Sequence, residues 1–194
     1  MQIAATLTGS IRRHPGRAAI LLVALAAAVG VALYWFAPWN LVIDRRVDEA
    51  PPGASGPAPT DTVPTESGEA PAAEPGATGR VTLARGDLRS LEHTTTGSVV
   101  LLRLEDGRRF LRLEDLETSN GPDLRVVLTD QPLSDDWDVW DDGALVDLGA
   151  LEGNIGSSNY EIPAAVDLDR FETAVIWCRR FSVGFAVAPL DPVG

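Results

Sequence analysis

Hydrophobic and polar positions divide the chain into three stretches with different periods. From Ala18 to Trp39 the sequence AAILLVALAAAVGVALYWFAPW is almost wholly apolar, and no charged residue lies between Ala18 and Ile43. A helix over 18–39 would rise ~33 Å at ~1.5 Å per residue, against ~30 Å of bilayer hydrocarbon. Tyr34, Trp35 and Trp39 cluster at its C-terminal edge, where amphipathic rings favour the headgroup region. The run predicts a transmembrane helix over 18–39 whose partner is the lipid bilayer. A cleaved secretory signal has a shorter apolar region and ends on small residues; this run is longer and ends on aromatic ones.

Periodicity is lost after the helix. Residues 50–79 hold seven Pro, seven Ala and five Gly, with Val63 as the single branched apolar side chain. Such a stretch buries too little apolar surface to offset the entropy of ordering. Residues 40–79 are therefore expected to form a disordered Pro/Ala-rich linker. Arg12, Arg13 and Arg17 precede the helix and only Arg45 and Arg46 follow it closely. The positive-inside bias puts residues 1–17 in the cytoplasm and the bulk of the chain outside, so the expected location is the cell membrane, single-pass, with an extracytoplasmic C-terminal domain.

From residue 80 the period becomes two. Ser98 to Glu105 is a β-rich run ending at Asp106-Gly107, a strong hairpin signal, and Arg109 to Leu113 resumes beyond it. The turn cluster Thr118 to Asp123 precedes Leu124 to Leu128, in which Leu124, Val126 and Leu128 share one face. A loop over 129–143 leads to a run from Ala144 to Leu151. Asn159 to Ile162 is stopped by Pro163, a helical turn fits 164–172, and the last runs are Thr173 to Arg180 and Ser182 to Ala188. About seven to nine short strands with turns between them, and no long helices, predict an all-β fold over 80–194: an antiparallel β-sandwich or barrel-like domain.

Charge and composition narrow the chemistry. The net charge is −12, and all 16 basic residues are Arg. This balance excludes the basic footprint that nucleic-acid binding needs. One Cys and two His leave no disulfide framework, no Cys-cluster zinc site and no His-rich metal site. Without Lys there is no P-loop, and no nucleophile elbow or HExxH motif occurs. A hydrolase is not legible.

Three features remain. In Ala174-Val175-Ile176-Trp177-Cys178 both strand faces are apolar, which predicts a central strand buried on both sides and emerging at Arg179-Arg180. Cys178 is then either a structural thiol in the core or a redox thiol made reactive by the two guanidinium groups. His93 is either a metal or haem ligand, a proton carrier or a hydrogen-bonded structural histidine. Asp135, Asp136, Asp138, Asp141 and Asp142 in the 129–143 loop offer oxygens to calcium, without the EF-hand spacing. The loop's Trp137 and Trp140 could instead present a face for a non-catalytic binding or adhesion module.

The patches SLEHTTTGSVVLL, SNGPDLRVVL, DLGALEGNIGSSNYEIP and AVIWCRRFSVGFAVAPL follow one another over residues 90–190. Together they resemble the electron-transfer DM-thirteen family, found with DOMON modules in Skeletor-type animal proteins and alone on anchors in bacteria. The resemblance implies an extracytoplasmic β-rich domain with a redox role. Its hallmark cysteine corresponds to Cys178, as a bare thiol or as the holder of a prosthetic group such as haem. His93 corresponds to a histidine of the opening motif, and Asn120 to Asp123 to a turn signature. The implied partner is a membrane or envelope redox protein. A haem would lack a c-type attachment motif here, and an unshielded thiol would also be able to pair with that of a second chain.

Overall fold

The computed structural model describes residues 15–36, 43–53 and 79–193. A 22-residue helix, α1 (Pro15–Phe36), comes first. Among the described residues no helix is long and apolar enough to cross a membrane. The stretch of α1 whose side chains are described without a break, 19–35, rises ~25 Å. Most of the linker expected over 40–79 lies outside the described residues.

The front of that linker is corrected by the structure. Residues 43–53 lie on the domain and include a strand, β1 (Arg46–Asp48), that pairs in parallel with β8 (Ile155–Ile162). Residues 43–49 contain no Pro or Ala; the strand was hidden because it is only three residues long and is attached by polar contacts to β8, far along the chain. Arg45 N donates to Asn154 Oδ1 at 2.7 Å, Glu49 N donates to Ser157 O at 2.8 Å, and Glu49 Oε2 accepts from Asn159 N at 2.7 Å.

The remaining strands are β2 (Arg80–Asp87), β3 (Arg89–Ser90), β4 (Thr96–Leu104), β5 (Arg109–Glu117), β6 (Leu124–Thr129), β7 (Leu145–Ala150), β9 (Thr173–Cys178), β10 (Val183–Pro189) and β11 (Asp191–Pro192). They form one sheet in the order β1-β8-β5-β4-β2-β11 and a second in the order β3-β10-β9-β6-β7. Among the described strands only the β1–β8 pairing is parallel. The fold is an all-β sandwich, with a 3-10 turn at Leu168–Arg170 where a helical turn was expected. The Asp106-Gly107 hairpin joins β4 to β5, and Gly107 takes the left-handed φ of +85° that this turn requires.

Strand β9 is the centre of the second sheet, between β10 and β6, and all six of its residues are buried. Its alternate side chains feed two cores, as the double apolar pattern requires. Ala174, Ile176 and Cys178 join the inter-sheet core with Leu111, Leu113, Leu124, Val126 and Phe185. Val175 and Trp177 face outward and are covered by Trp140, Val139 and Leu133 from the long β6–β7 connection. Trp140 is fully buried there and lies against β10 at Gly184, where an added Cβ would meet the indole nitrogen at 2.5 Å.

Candidate functional site

The connection over 129–143 does more than cover the outer core. Gly184 N of β10 donates to Trp137 O at 2.6 Å, which satisfies a strand-edge donor that two-residue β3 is too short to reach. The chain after β3 takes the neighbouring position, with Leu91 N donating to Phe185 O at 2.9 Å. Trp137 and the His93 segment are thereby brought to the same end of β10.

His93 is fixed there by three contacts. Its ring lies over that of Phe185, with centroids 3.8 Å apart. Its Nδ1 is 2.7 Å from Ser119 Oγ, a pair in which either group can donate. Its carbonyl accepts from Thr95 Oγ1 at 3.1 Å. The turn Asn120-Gly121-Pro122-Asp123 closes over the same phenyl ring, and an added Cβ on Gly121 would lie 3.1 Å from Phe185 Cζ. A side chain at 121 would press on Leu124 and Phe185, which would have to give way by a few tenths of an ångström.

These elements line an open pocket of about 390 Å³. His93 and Glu92 line one side, Asn120, Gly121 and Pro122 another, and Trp137 with Phe181, Val183 and Phe185 the rest. Trp137 and Phe181 remain nearly half exposed, at 45% and 46%. The larger cavity of about 790 Å³, between Leu83, Arg103, Arg109, Asp167 and Phe171, contains none of the residues singled out in the sequence.

Cys178 is fully buried. It lines none of the 790, 390 and 240 Å³ cavities. Its cross-strand neighbour on β10 is Val183, which does line the His93 pocket, so the thiol lies behind that wall. The two adjacent guanidinium groups are engaged elsewhere. Arg179 Nε is 2.9 Å from Asp123 Oδ2, and the Arg180 guanidinium stacks 5.2 Å from the Trp35 ring centre while donating to the Trp35 carbonyl. Of the two readings open for Cys178, the one in which both guanidinium groups activate the thiol finds no support in these contacts.

The calcium alternative is also corrected. Asp135, Asp136, Asp138, Asp141 and Asp142 are all exposed, and among the described residues no three His, Cys, Asp or Glu side chains converge as a metal site requires. The loop is ordered by its inward indole and its backbone, so its carboxylates stay in solvent. A haem fares no better. Thiolate ligation needs the sulfur to face a cavity that admits a macrocycle. Cys178 faces packed core, and the His93 pocket lies at the small end of the range for ligand sites, roughly 300–1,000 Å³. These residues do not fit a haem.

Ser119, Phe181 and Phe185 carry much of this geometry and are not distinguished by strand periodicity. Val183 and Phe185 belong to β10 while Phe181 lies in the turn before it, where Ser182 takes a left-handed φ of 52°, so no single strand period links the three.

Fold and site thus define a β-sandwich module with one aromatic pocket, built from four separate chain segments around a histidine. The model of the electron-transfer DM13 (DM-thirteen) family matches residues 87–190, which is more than half of the chain and includes all the pocket residues. The chain belongs to that family. No curated protein and no solved structure matches it.

Proposed function

We propose that this protein is a membrane-anchored, extracytoplasmic electron-transfer domain whose working end is the His93 pocket with Cys178 behind it, and which exchanges electrons with a membrane or envelope partner protein. The observation that carries the reading is the convergence of the family-matched segments. The His93 loop, the Asn120–Asp123 turn and the β9–β10 turn meet at one pocket, and Val183, which lines it, pairs across from Cys178.

Anchoring through residues 18–39 is supported by the surface of α1, and an N-terminus in the cytoplasm by the three Arg before the helix against the two that follow it. Ile20, Leu21, Leu22 and Val23 are each about 70% exposed, as are Leu25 and Val31 at 61% and 65%. In water each such side chain forgoes ~1.5–3 kcal/mol of burial, whereas lipid removes that cost.

Reversible redox titration of the full-length chain in lipid nanodiscs tests the function. A lone enclosed thiol has no second sulfur with which to form a reversible couple. The transition expected in wild type therefore belongs to a redox group held in the pocket, and Cys178→Ala, which alters the packing behind that pocket, is expected to shift its midpoint. No reversible transition, or one identical in Cys178→Ala and His93→Gln, overturns the reading. Protease protection of residues 1–17 in sealed, right-side-out vesicles, with the β-domain cleaved, tests the orientation.

A further inference from the structure

We infer that the pocket at His93 is a binding site for a single-ring quinone and its hydroquinone. The choice of a redox-active ligand rests on the electron-transfer reading, while the site itself stands on geometry. About 390 Å³ accommodates one substituted ring. The walls offer aromatic faces, from Phe185 inside to Trp137 and Phe181 at the mouth, the arrangement that stacks a flat apolar ring. No Lys or Arg lines the pocket and Glu92 sits at its rim, so with a net charge of −12 the site favours a neutral ligand over an anion.

The His93–Ser119 pair selects the class further. A hydroxyl can donate or accept, so Ser119 Oγ at 2.7 Å tolerates either imidazole tautomer. When Ser119 donates to Nδ1, the proton sits on Nε2, which then donates to a quinone carbonyl. When Nδ1 donates to Ser119, Nε2 is an acceptor for a hydroquinone hydroxyl. The two redox forms of such a ligand exchange exactly these roles at the same oxygen, and rotation of one hydroxyl accommodates both. A purely hydrocarbon ring would use neither, and a phenyl ether, whose oxygen is only a weak acceptor and carries no proton, would use the first alone and poorly. Position agrees: Phe181 follows Arg180, which stacks on Trp35, so the pocket mouth lies near the C-terminal end of α1, the outer edge of the bilayer in the proposed anchoring.

Calorimetric titration of the full-length chain in nanodiscs provides the test. The probes are tetramethyl-1,4-benzoquinone, whose ring positions are blocked against thiol addition, its hydroquinone, and the hydroquinone's dimethyl ether. Wild type is expected to bind both redox forms at 1:1 and the diether at least about tenfold more weakly. His93→Phe, which keeps the stack on Phe185, and Phe181→Ala, on an exposed turn, should each weaken both redox forms by at least about tenfold, with near-UV circular dichroism confirming a folded domain. Absence of saturable binding, or affinities unchanged in both variants, overturns the inference. A prenyl-tailed hydroquinone that binds tighter than the tail-less ring identifies the bilayer as the source, and equal affinity identifies water-soluble phenols; both require the ring site. Loss of binding beside an intact Cys178-dependent redox transition removes only the ligand, whereas saturable binding without any such transition removes the electron-transfer function and leaves the site.

Discussion

Thr95 Oγ1 and Thr118 Oγ1 lie 2.7 Å apart in a buried contact that joins the His93 segment to the turn before Asn120. Thr95 Oγ1 also donates to the His93 carbonyl at 3.1 Å. Its single proton is therefore committed, and Thr118 must be the donor in the pair. Two loops distant in sequence are held as one unit by this relay. Thr118→Val keeps the shape and removes the donor, leaving a buried oxygen one bond short. A loss of about 1–3 kcal/mol is expected in urea unfolding. If the relay positions His93, the variant should also broaden the His93 ring resonances in NMR spectra. A variant as stable as wild type with an unchanged His93 signal would show that the contact holds nothing in place.

The burial of Cys178 makes a second prediction. Fully enclosed beside Leu124, Val126 and Phe185, the thiol meets no reagent unless the strand opens. Iodoacetamide should label it in the folded protein at the rate of local opening, independent of reagent concentration once that is high, and immediately in denaturant. The same enclosure argues against a disulfide between two chains in the closed fold. Cys178→Ser places a more polar hydroxyl in an apolar site and should cost about 1–3 kcal/mol. Fast, concentration-dependent labelling of the native protein would place the sulfur at the surface instead.

Much of this architecture was legible from residues 80–194, because strand periodicity depends on which faces are buried. The double apolar pattern of β9 announced a central strand, and the Asp106-Gly107 and Asn120-Gly121-Pro122 signals marked turns. β2 was less visible, since Arg80–Asp87 mixes Arg, Thr and Gly on half-exposed faces. The two-residue strands β3 and β11 carry no period at all. The acidic loop misled for a physical reason: five Asp dominate its composition, but Trp140 decides its conformation by filling the outer core. The site was only half legible. His93 and Cys178 can be singled out by rarity, yet their relation depends on Val183 and Phe185, whose roles follow from register rather than residue type.

Tyr160 supplies a pH dependence. Burial raises its hydroxyl pKa above the usual tyrosine value, although the hydroxyl accepts hydrogen bonds from Ser158 Oγ and Glu152 N. A folded-state pKa above the unfolded value of ~10 means the unfolded chain releases the proton first. The contribution is therefore whole below pH ~10 and is lost as pH rises from there through the folded value. Urea midpoints measured between about pH 8 and 11 should fall for wild type. Tyr160→Phe should start lower by about 1 kcal/mol and fall less steeply. Parallel profiles for the two proteins would assign the alkaline loss to other groups.

Asn154 is where the strand arriving from the helix is fastened, and its test separates attachment from folding. The side chain is almost fully buried. Its Oδ1 accepts from Arg45 N at 2.7 Å, and its Nδ2 donates to Asp44 Oδ1 and to Thr118 O, both at 2.9 Å. Its own carbonyl accepts from Thr118 N at 2.9 Å, so the same residue braces the loop behind the pocket. Asn154→Ala leaves the Arg45 amide and the Thr118 carbonyl without these partners and should cost about 1–3 kcal/mol. The loss should be local first. Hydrogen exchange is expected to quicken at Arg45 and at Glu49, whose amides donate into this edge, before it quickens in β9. Uniform quickening across β1 and β9 would mean that the edge strand unfolds only with the whole sandwich, and that residues 43–53 belong to its cooperative core rather than to a detachable tether.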